Sequence, residues 1–215
     1  MALRKLALAG LLLGTLGWWF SPYSPRTPDA PAQAAGTDPS CPLPPGVVSS
    51  DIPLQTGVPR EVGPFRLEAG ALTPLAGFRI EARVLRREDY SIGREAAFSP
   101  TDLALGWNRM REDEVLARLD ISQSSRWYRY RWQGSPPLPP REIVRSSANM
   151  HMIPSTPAVA RALRGVRRDD TVRIDGWLVQ VDAPDGWRWR SSLTRDDSGN
   201  GACELVYVCA LQVVP

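Results

Sequence analysis

One histidine and three cysteines bound the chemistry open to this chain. His151 lies in Ser147-Ala-Asn-Met-His-Met-Ile-Pro154, and Cys203 follows the glycine-rich stretch Asp196-Asp-Ser-Gly-Asn-Gly201. An imidazole beside a thiol is a nucleophile constellation: the ring takes the S–H proton, and a carboxylate can fix the ring's orientation. Asp197, or Asp196 beside it, is the candidate for that carboxylate, which gives the chain order His151, Asp, Cys203. The competing reading is a packed structural histidine between two methionines. The same residue count argues against a metal centre, because no Cys-x-x-Cys or His-x-x-x-His spacing occurs. No glycine-rich phosphate loop follows a strand, and no cofactor is expected.

In an oxidising compartment, three cysteines imply one disulfide and one thiol. Cys203 and Cys209 fall on one strand face about 20 Å apart at roughly 3.4 Å per residue. A bridge needs Cα atoms within about 7 Å, so these two do not pair. The candidate disulfide is therefore Cys41 with Cys203, and Cys209, inside a run of large apolar residues, is expected as a core thiol. That bridge would exclude Cys203 from catalysis.

A second group of residues could bind rather than react. Arg126, Trp127, Tyr128, Arg129, Tyr130, Arg131 and Trp132 form one aromatic and arginine-rich segment. Arg126, Tyr128, Tyr130 and Trp132 share one face of an extended strand; Trp127, Arg129 and Arg131 share the other. Aromatic side chains between arginines stack on rings and pair with anions. With aromatics on both faces, the segment is the candidate binding surface. Trp187 and Trp189 instead read as a core-facing pair with Arg188 and Arg190 on the solvent side.

These residues need elements to position them. Gly77–Leu85 alternates apolar and charged residues and reads as a half-buried strand, with Phe65–Glu68 a short one before it. Ser99-Pro100-Thr101-Asp102 has the form of a helix start, with Leu103, Trp107 and Met110 on one face. A short helix is expected over Glu112–Leu119, a strand over Ser125–Trp132 and another over Glu142–Met150. Ser155-Thr156-Pro157 opens a helix that buries Val159, Leu163 and Val166. A hairpin follows, Thr171–Val181 and Trp187–Thr194 around Ala183-Pro-Asp-Gly186, and then a strand from Cys203 to Val214. The sum is an α+β domain over residues 60–215, with a C-terminal three-strand meander. Its sheet is mainly antiparallel or closes into a small OB- or SH3-like barrel, with two or three short helices.

The start of the chain bears on compartment. Arg4 and Lys5 precede the apolar run Leu6–Phe20, the pattern of an export signal or an N-terminal anchor. Trp18, Trp19 and Phe20 suit a membrane–water interface. The expected topology is a single pass in a bacterial inner membrane with the C-terminal domain in the periplasm; the alternative is secretion to the periplasm after cleavage. Residues 22–59, rich in Pro, Ala, Ser and Thr, read as an extended tether. The net charge of +3 and pI near 9.0 are only mildly basic. Lys5 is the only lysine, and the arginines alternate with acids, so no continuous nucleic-acid stripe forms.

Tyr90-Ser-Ile-Gly-Arg-Glu95, Ser99–Trp107, Ser147–His151 and Trp189–Asp197 through Gly201–Glu204 carry a resemblance to uncharacterised proteobacterial proteins. Those have a short N-terminal hydrophobic segment and one domain. The resemblance covers about residues 78–208 and implies no activity. Three functional readings result. The first is a membrane-tethered, periplasm-facing binding or accessory domain for a protein or small-molecule ligand, without catalysis. The second is a thiol-dependent hydrolase-like enzyme using Cys203 and His151. The third is an OB-like nucleic-acid module, which the exported topology and modest charge disfavour.

Overall fold

The computed structural model describes residues 2–19, 29–36, 40–45, 53–194 and 203–214. Ten strands are assigned among them: β1 Leu54–Thr56, β2 Phe65–Leu67, β3 Gly70–Asp89, β4 Thr101–Gly106, β5 Asp120–Ser124, β6 Trp127–Arg131, β7 Ser147–Pro154, β8 Thr171–Asp182, β9 Arg188–Arg190 and β10 Glu204–Val214. Four α-helices accompany them: α1 Ala2–Trp19, α2 Asp113–Leu116, α3 Pro140–Arg145 and α4 Pro157–Gly165. The domain is α+β, and its main sheet is mixed.

Five pairings define that sheet. β3 pairs β4, β4 pairs β7, β10 pairs β8 and β8 pairs β3, all antiparallel; β7 pairs β10 in parallel. The series returns to β3, so these five strands form a closed cycle of neighbours. All five strands, together with α4, contribute to one apolar cluster. Phe78, Ile80 and Val84 come from β3, Leu103 and Leu105 from β4, and Met150 and Met152 from β7. Ile174 and Leu178 of β8, Val206 and Val208 of β10, and Val159 and Leu163 of α4 complete it. Since successive strand residues point to opposite faces, the alternate set points outward. There Trp177, Val179, Leu205 and Tyr207 form a second cluster with Phe98, and Ala104 and Leu85 form a third with Ile121 and Ile143. Gly176 lies where β8 and β10 meet most closely: a Cβ there would overlap the Tyr207 carbonyl oxygen, so no side chain fits.

α4 forms as its sequence dictates. The Thr156 hydroxyl accepts from the Val159 N–H at 3.2 Å, Pro157 occupies the first turn, and Val159 and Leu163 are buried. The segment after Ser99 does not. Thr101–Gly106 is a strand, not a helix, and every residue in it is buried. Its pairing on both edges, with β3 and β7, outweighs the local capping signal. The strand expected over 142–150 is instead α3 followed by β7. The expected meander is corrected as well: β8 lies between β9 and β10.

The proline-rich segment docks on the domain wherever it is described. Gln33 bridges to Leu67, the Ala34 N–H donates to the Arg66 carbonyl at 3.3 Å, and the Glu68 N–H donates to that of Ala32 at 2.9 Å. The Trp177 indole N–H donates to the Pro42 carbonyl at 2.8 Å, and Pro44 is buried. The disulfide is Cys41–Cys209, with Cα atoms 5.2 Å apart. The expected Cys41–Cys203 pair is thus corrected. Cys209 continues the outward series Leu205, Tyr207, and that face is where the segment carrying Cys41 packs.

Helix α1 forms, with Leu8, Leu11, Leu12, Leu13 and Leu16 exposed. Among the described residues no helix is long and apolar enough to cross a membrane. Arg4 and Lys5 fall within the 18 residues of α1. Ser21–Pro28 lies outside the described residues.

A bridge closing a loop of 168 residues restricts the unfolded chain strongly. Cys209→Ser should therefore cost about 2–5 kcal/mol in urea unfolding, and a reductant should lower the melting temperature of the parent protein but not of the variant.

Candidate functional site

Asp102 is fully buried on β4, on the outward face of the strand cycle. A carboxylate removed from water is costly unless charges and hydrogen bonds replace hydration. Two side chains hydrogen-bond to it here, and a third stands against it. Arg126 Nη1 donates to Asp102 Oδ1 at 2.7 Å, and Asn149 Nδ2 donates to Oδ2 at 3.2 Å. His151, opposite Asp102 in the β4–β7 register, brings Nδ1 to 2.9 Å from Oδ1. That last contact has ion-pair distance but not hydrogen-bond alignment, so Nδ1 counts as buried without an aligned partner. The imidazole is held by packing too: its centroid is 4.7 Å from that of Trp189, with planes at 50°.

Arg126 reaches Asp102 from the tip of a hairpin. β5 and β6 pair Ser124 with Trp127, leaving Ser125 and Arg126 as a two-residue turn. Both have positive φ, 53° and 68°. This is the turn in which Asn-Gly is favoured, because side chains resist left-handed backbone. Neither residue here is of that kind, and the contacts of Arg126 account for the geometry. Its backbone N–H donates to Tyr90 Oη at 2.9 Å, and its carbonyl accepts from Asn149 Nδ2 at 3.0 Å. Its guanidinium lies 3.8 Å from the Tyr90 ring centroid and 5.8 Å from that of Trp189. Gln123 donates to Asn149 Oδ1 at 2.6 Å and fixes that amide's orientation. Burial, reinforced by the negative charge of Asp102, pushes the Tyr90 phenol up to about 12, so it stays neutral.

Arg126 and His151 border a cleft of about 560 Å³, lined also by Glu95, Ser125, Trp127, Arg188, Trp189, Arg190 and Cys203. His151 and Cys203, remote in sequence, thus share one site. Cys203 is fixed by its chain neighbours: the Ser192 N–H donates to the Cys203 carbonyl at 3.0 Å, and the Leu205 N–H donates to Ser191 Oγ at 3.0 Å. Cys203 lies outside the disulfide and remains a thiol, partly exposed. The third expected member, Asp197, lies outside the described residues. The carboxylate beside His151 is Asp102, which the sequence presents as part of a helix cap.

The aromatic segment divides. Arg126 and Trp127 border the cleft. Tyr128 and Tyr130 pack against the third apolar cluster, and the Tyr128 hydroxyl donates to Ser147 Oγ at 3.3 Å. Burial raises the Tyr128 phenol far above its ordinary value. Arg129 is exposed, its Nη1 3.2 Å from Ser124 Oγ. Trp132 packs on that third cluster as well and, with Arg131, borders a separate cleft of about 670 Å³ near Arg118 and Asp120. Trp187 and Trp189 are partly buried against the second, outer apolar cluster, Trp187 with its ring centroid 6.0 Å from that of Phe98, and Trp189 also borders the cleft; Arg188 and Arg190 are exposed. No group of metal-binding side chains occurs among the described residues.

No protein-family model, curated protein or solved structure matches this chain.

The hairpin tip yields a paired test. Ser125→Gly removes a left-handed backbone penalty and should raise stability by up to about 1 kcal/mol. Arg126→Gly removes a similar penalty yet strips Asp102 of its cation, and should lower stability by about 3–5 kcal/mol. Urea unfolding of both variants reads the opposite signs.

Proposed function

We propose that this chain is an exported domain of OB type that binds a small anionic ligand in the cleft beside His151. Counted without the small strands, β3, β4, β7, β8 and β10 are strands one to five. Their neighbour order is one, two, three, five, four, back to one, with three and five parallel and α4 between three and four. OB barrels take ligands on the outer face of strands two and three, and on the loops that join strands one to two and four to five. Here His151 comes from strand three, Glu95 from the first of those connections, and Arg188, Trp189 and Arg190 from the second. That coincidence of cleft and topology is the observation carrying the proposal.

The lining gives the ligand class. A cleft of about 560 Å³ suits a small molecule. Arg126 is committed to Asp102. Among the described residues, Arg188 and Arg190 are exposed and pair with Asp182 at 3.1 Å and with the Gln180 side chain at 2.9 Å. A guanidinium in that setting is well placed to exchange its partner for a carboxylate or phosphate. Trp127 and Trp189 offer apolar faces for a ring. The ligand class is therefore a ring-bearing carboxylate or phosphate, such as a sugar acid or sugar phosphate. Export is supported by the Cys41–Cys209 bridge, which belongs to an oxidising compartment, and by the cationic and apolar start of the chain.

Tryptophan fluorescence titration with sugar acids and sugar phosphates, and with neutral sugars as controls, tests this. Saturable binding of the anionic members is expected. Replacing Arg188 and Arg190 together by Ala should weaken it by about tenfold or more with the melting temperature unchanged. Equal response to neutral sugars, or binding that survives the double replacement, would overturn the reading. Tighter binding of an oligothymidylate, falling steeply with salt, would replace it with the nucleic-acid reading.

A further inference from the structure

His151 is the chain's one histidine, and histidine is the side chain whose charge ordinarily changes between about pH 5 and 8. It is 3 % exposed and lines the cleft. Its Nδ1 is buried against Asp102, 2.9 Å from Oδ1, so the edge of the ring away from that carboxylate, which carries Nε2, is the one turned to the cleft. A carboxylate only accepts, so a neutral imidazole here keeps its proton on Nδ1 and leaves Nε2 bare. Arg126 already offsets the charge of Asp102, with Nη1 2.7 Å from the same Oδ1. An imidazolium therefore adds a second cation to a buried carboxylate that holds one already, which is unfavourable without a further countercharge. An anion in the cleft supplies that countercharge.

Building on the anion-binding reading of the same cleft, we propose that His151 couples that binding to proton uptake, so that the site takes its anionic ligand together with one proton. The proton comes from solvent and adds to Nε2, and the N–H so formed donates to an oxygen of the ligand. Asp102 is the positioning residue, which holds the Nδ1 edge and leaves Nε2 to the cleft. Charged and titratable groups around the ring, among the described residues, are Asp102 from β4, Arg126 from the hairpin, Arg188 and Arg190 from β9, Glu95 from the β3–β4 connection and Cys203 before β10. Tyr90 lies against Arg126, its phenol pushed up to about 12 and so neutral. Glu204, level with Met150 in the β7–β10 register, points to the other face of the sheet. The sign follows from the charges: binding is tightest at acid pH, where the imidazole is charged, and weakens as pH rises. Arginine keeps its charge throughout, so Arg188 and Arg190 set affinity at every pH and His151 sets its pH dependence.

Glucuronate and inorganic sulfate are the probes, because neither changes its charge over that pH range. Isothermal titration calorimetry of the intact protein, carrying no histidine tag, gives the association constant across the range. The imidazole C–H resonance of its one histidine is followed by NMR, with and without saturating anion. The association constant is expected to fall at least about fivefold from the acid to the alkaline end. The titration midpoint of the resonance is expected to rise by at least about 0.7 of a pH unit with anion bound, the same factor read from the proton's side. His151→Gln should keep anion binding but flatten its pH dependence. Saturable binding of constant affinity, with an unmoved midpoint in the parent protein, would overturn the proton coupling and leave the anion site standing, without recourse to any variant. Absence of saturable binding of either probe at every pH would fall on the underlying reading and take this one with it. A pH dependence that survives in His151→Gln would mean that another group takes the proton, and would overturn the assignment to His151.

Discussion

The outer face of this domain depends on one buried charge. Asp102, the second residue of β4, lies between β3 and β7, and water does not reach it. An isolated carboxylate there would be untenable. Its demand for compensation explains several otherwise odd features. The β5–β6 hairpin bends through a left-handed Ser-Arg turn to deliver Arg126, Asn149 turns its amide nitrogen outward to the carboxylate, and His151 stands against it. The guanidinium then lies 3.8 Å from the Tyr90 ring centroid and 5.8 Å from that of Trp189. Arg126, His151 and Trp189, three of the groups that gather around this charge, border the cleft, so part of its wall follows from the electrostatics beneath it.

A second constraint ties the beginning of the chain to its end. The segment 29–36 runs beside β2, and the segment 40–45 crosses the outer face near Trp177 before the Cys41–Cys209 bridge closes. This strap packs on the second apolar cluster, which Trp189 of the cleft also joins. Trp177 and Tyr207, both buried large rings, owe part of their cover to it and to Phe65. Among the described residues, the strap covers one outer region and the hairpin another, and the cleft beside His151 lies on the same outer face. The fold and the cleft thus have a common origin in what packs on the outside of the five strands.

Much of this was legible in the sequence where local signals and tertiary context agree. Thr156-Pro157 announces α4, and the alternation through β3, β8 and the Trp187–Arg190 segment announces half-buried strands. β4 was not legible. Ser99-Pro100-Thr101-Asp102 carries a helix cap in its local chemistry, and a strand buried on both faces shows no alternation to oppose it. Reading Asp102 as a cap hid the carboxylate beside His151. The cysteine pairing failed for a related reason. Apolar neighbours on both sides of Cys209 suggest a core thiol, yet β10 is covered on both faces, and the outer cover is the very segment that holds Cys41. The aromatic strand was located correctly, but its division between core and cleft depends on the hairpin's seat against β7, which no local pattern encodes.

The coupling between Asp102 and Arg126 is the most direct measure of this account. A double-mutant cycle with Asp102→Ala, Arg126→Ala and the pair together, read by urea unfolding, isolates it from general packing loss. If the buried charge organises the outer face, the Arg126 replacement costs much less once the carboxylate is gone, and the coupling is about 2 kcal/mol or more. Additivity of the two replacements within about 0.5 kcal/mol would mean that the pair is incidental, and the account of the cleft built on it would be wrong.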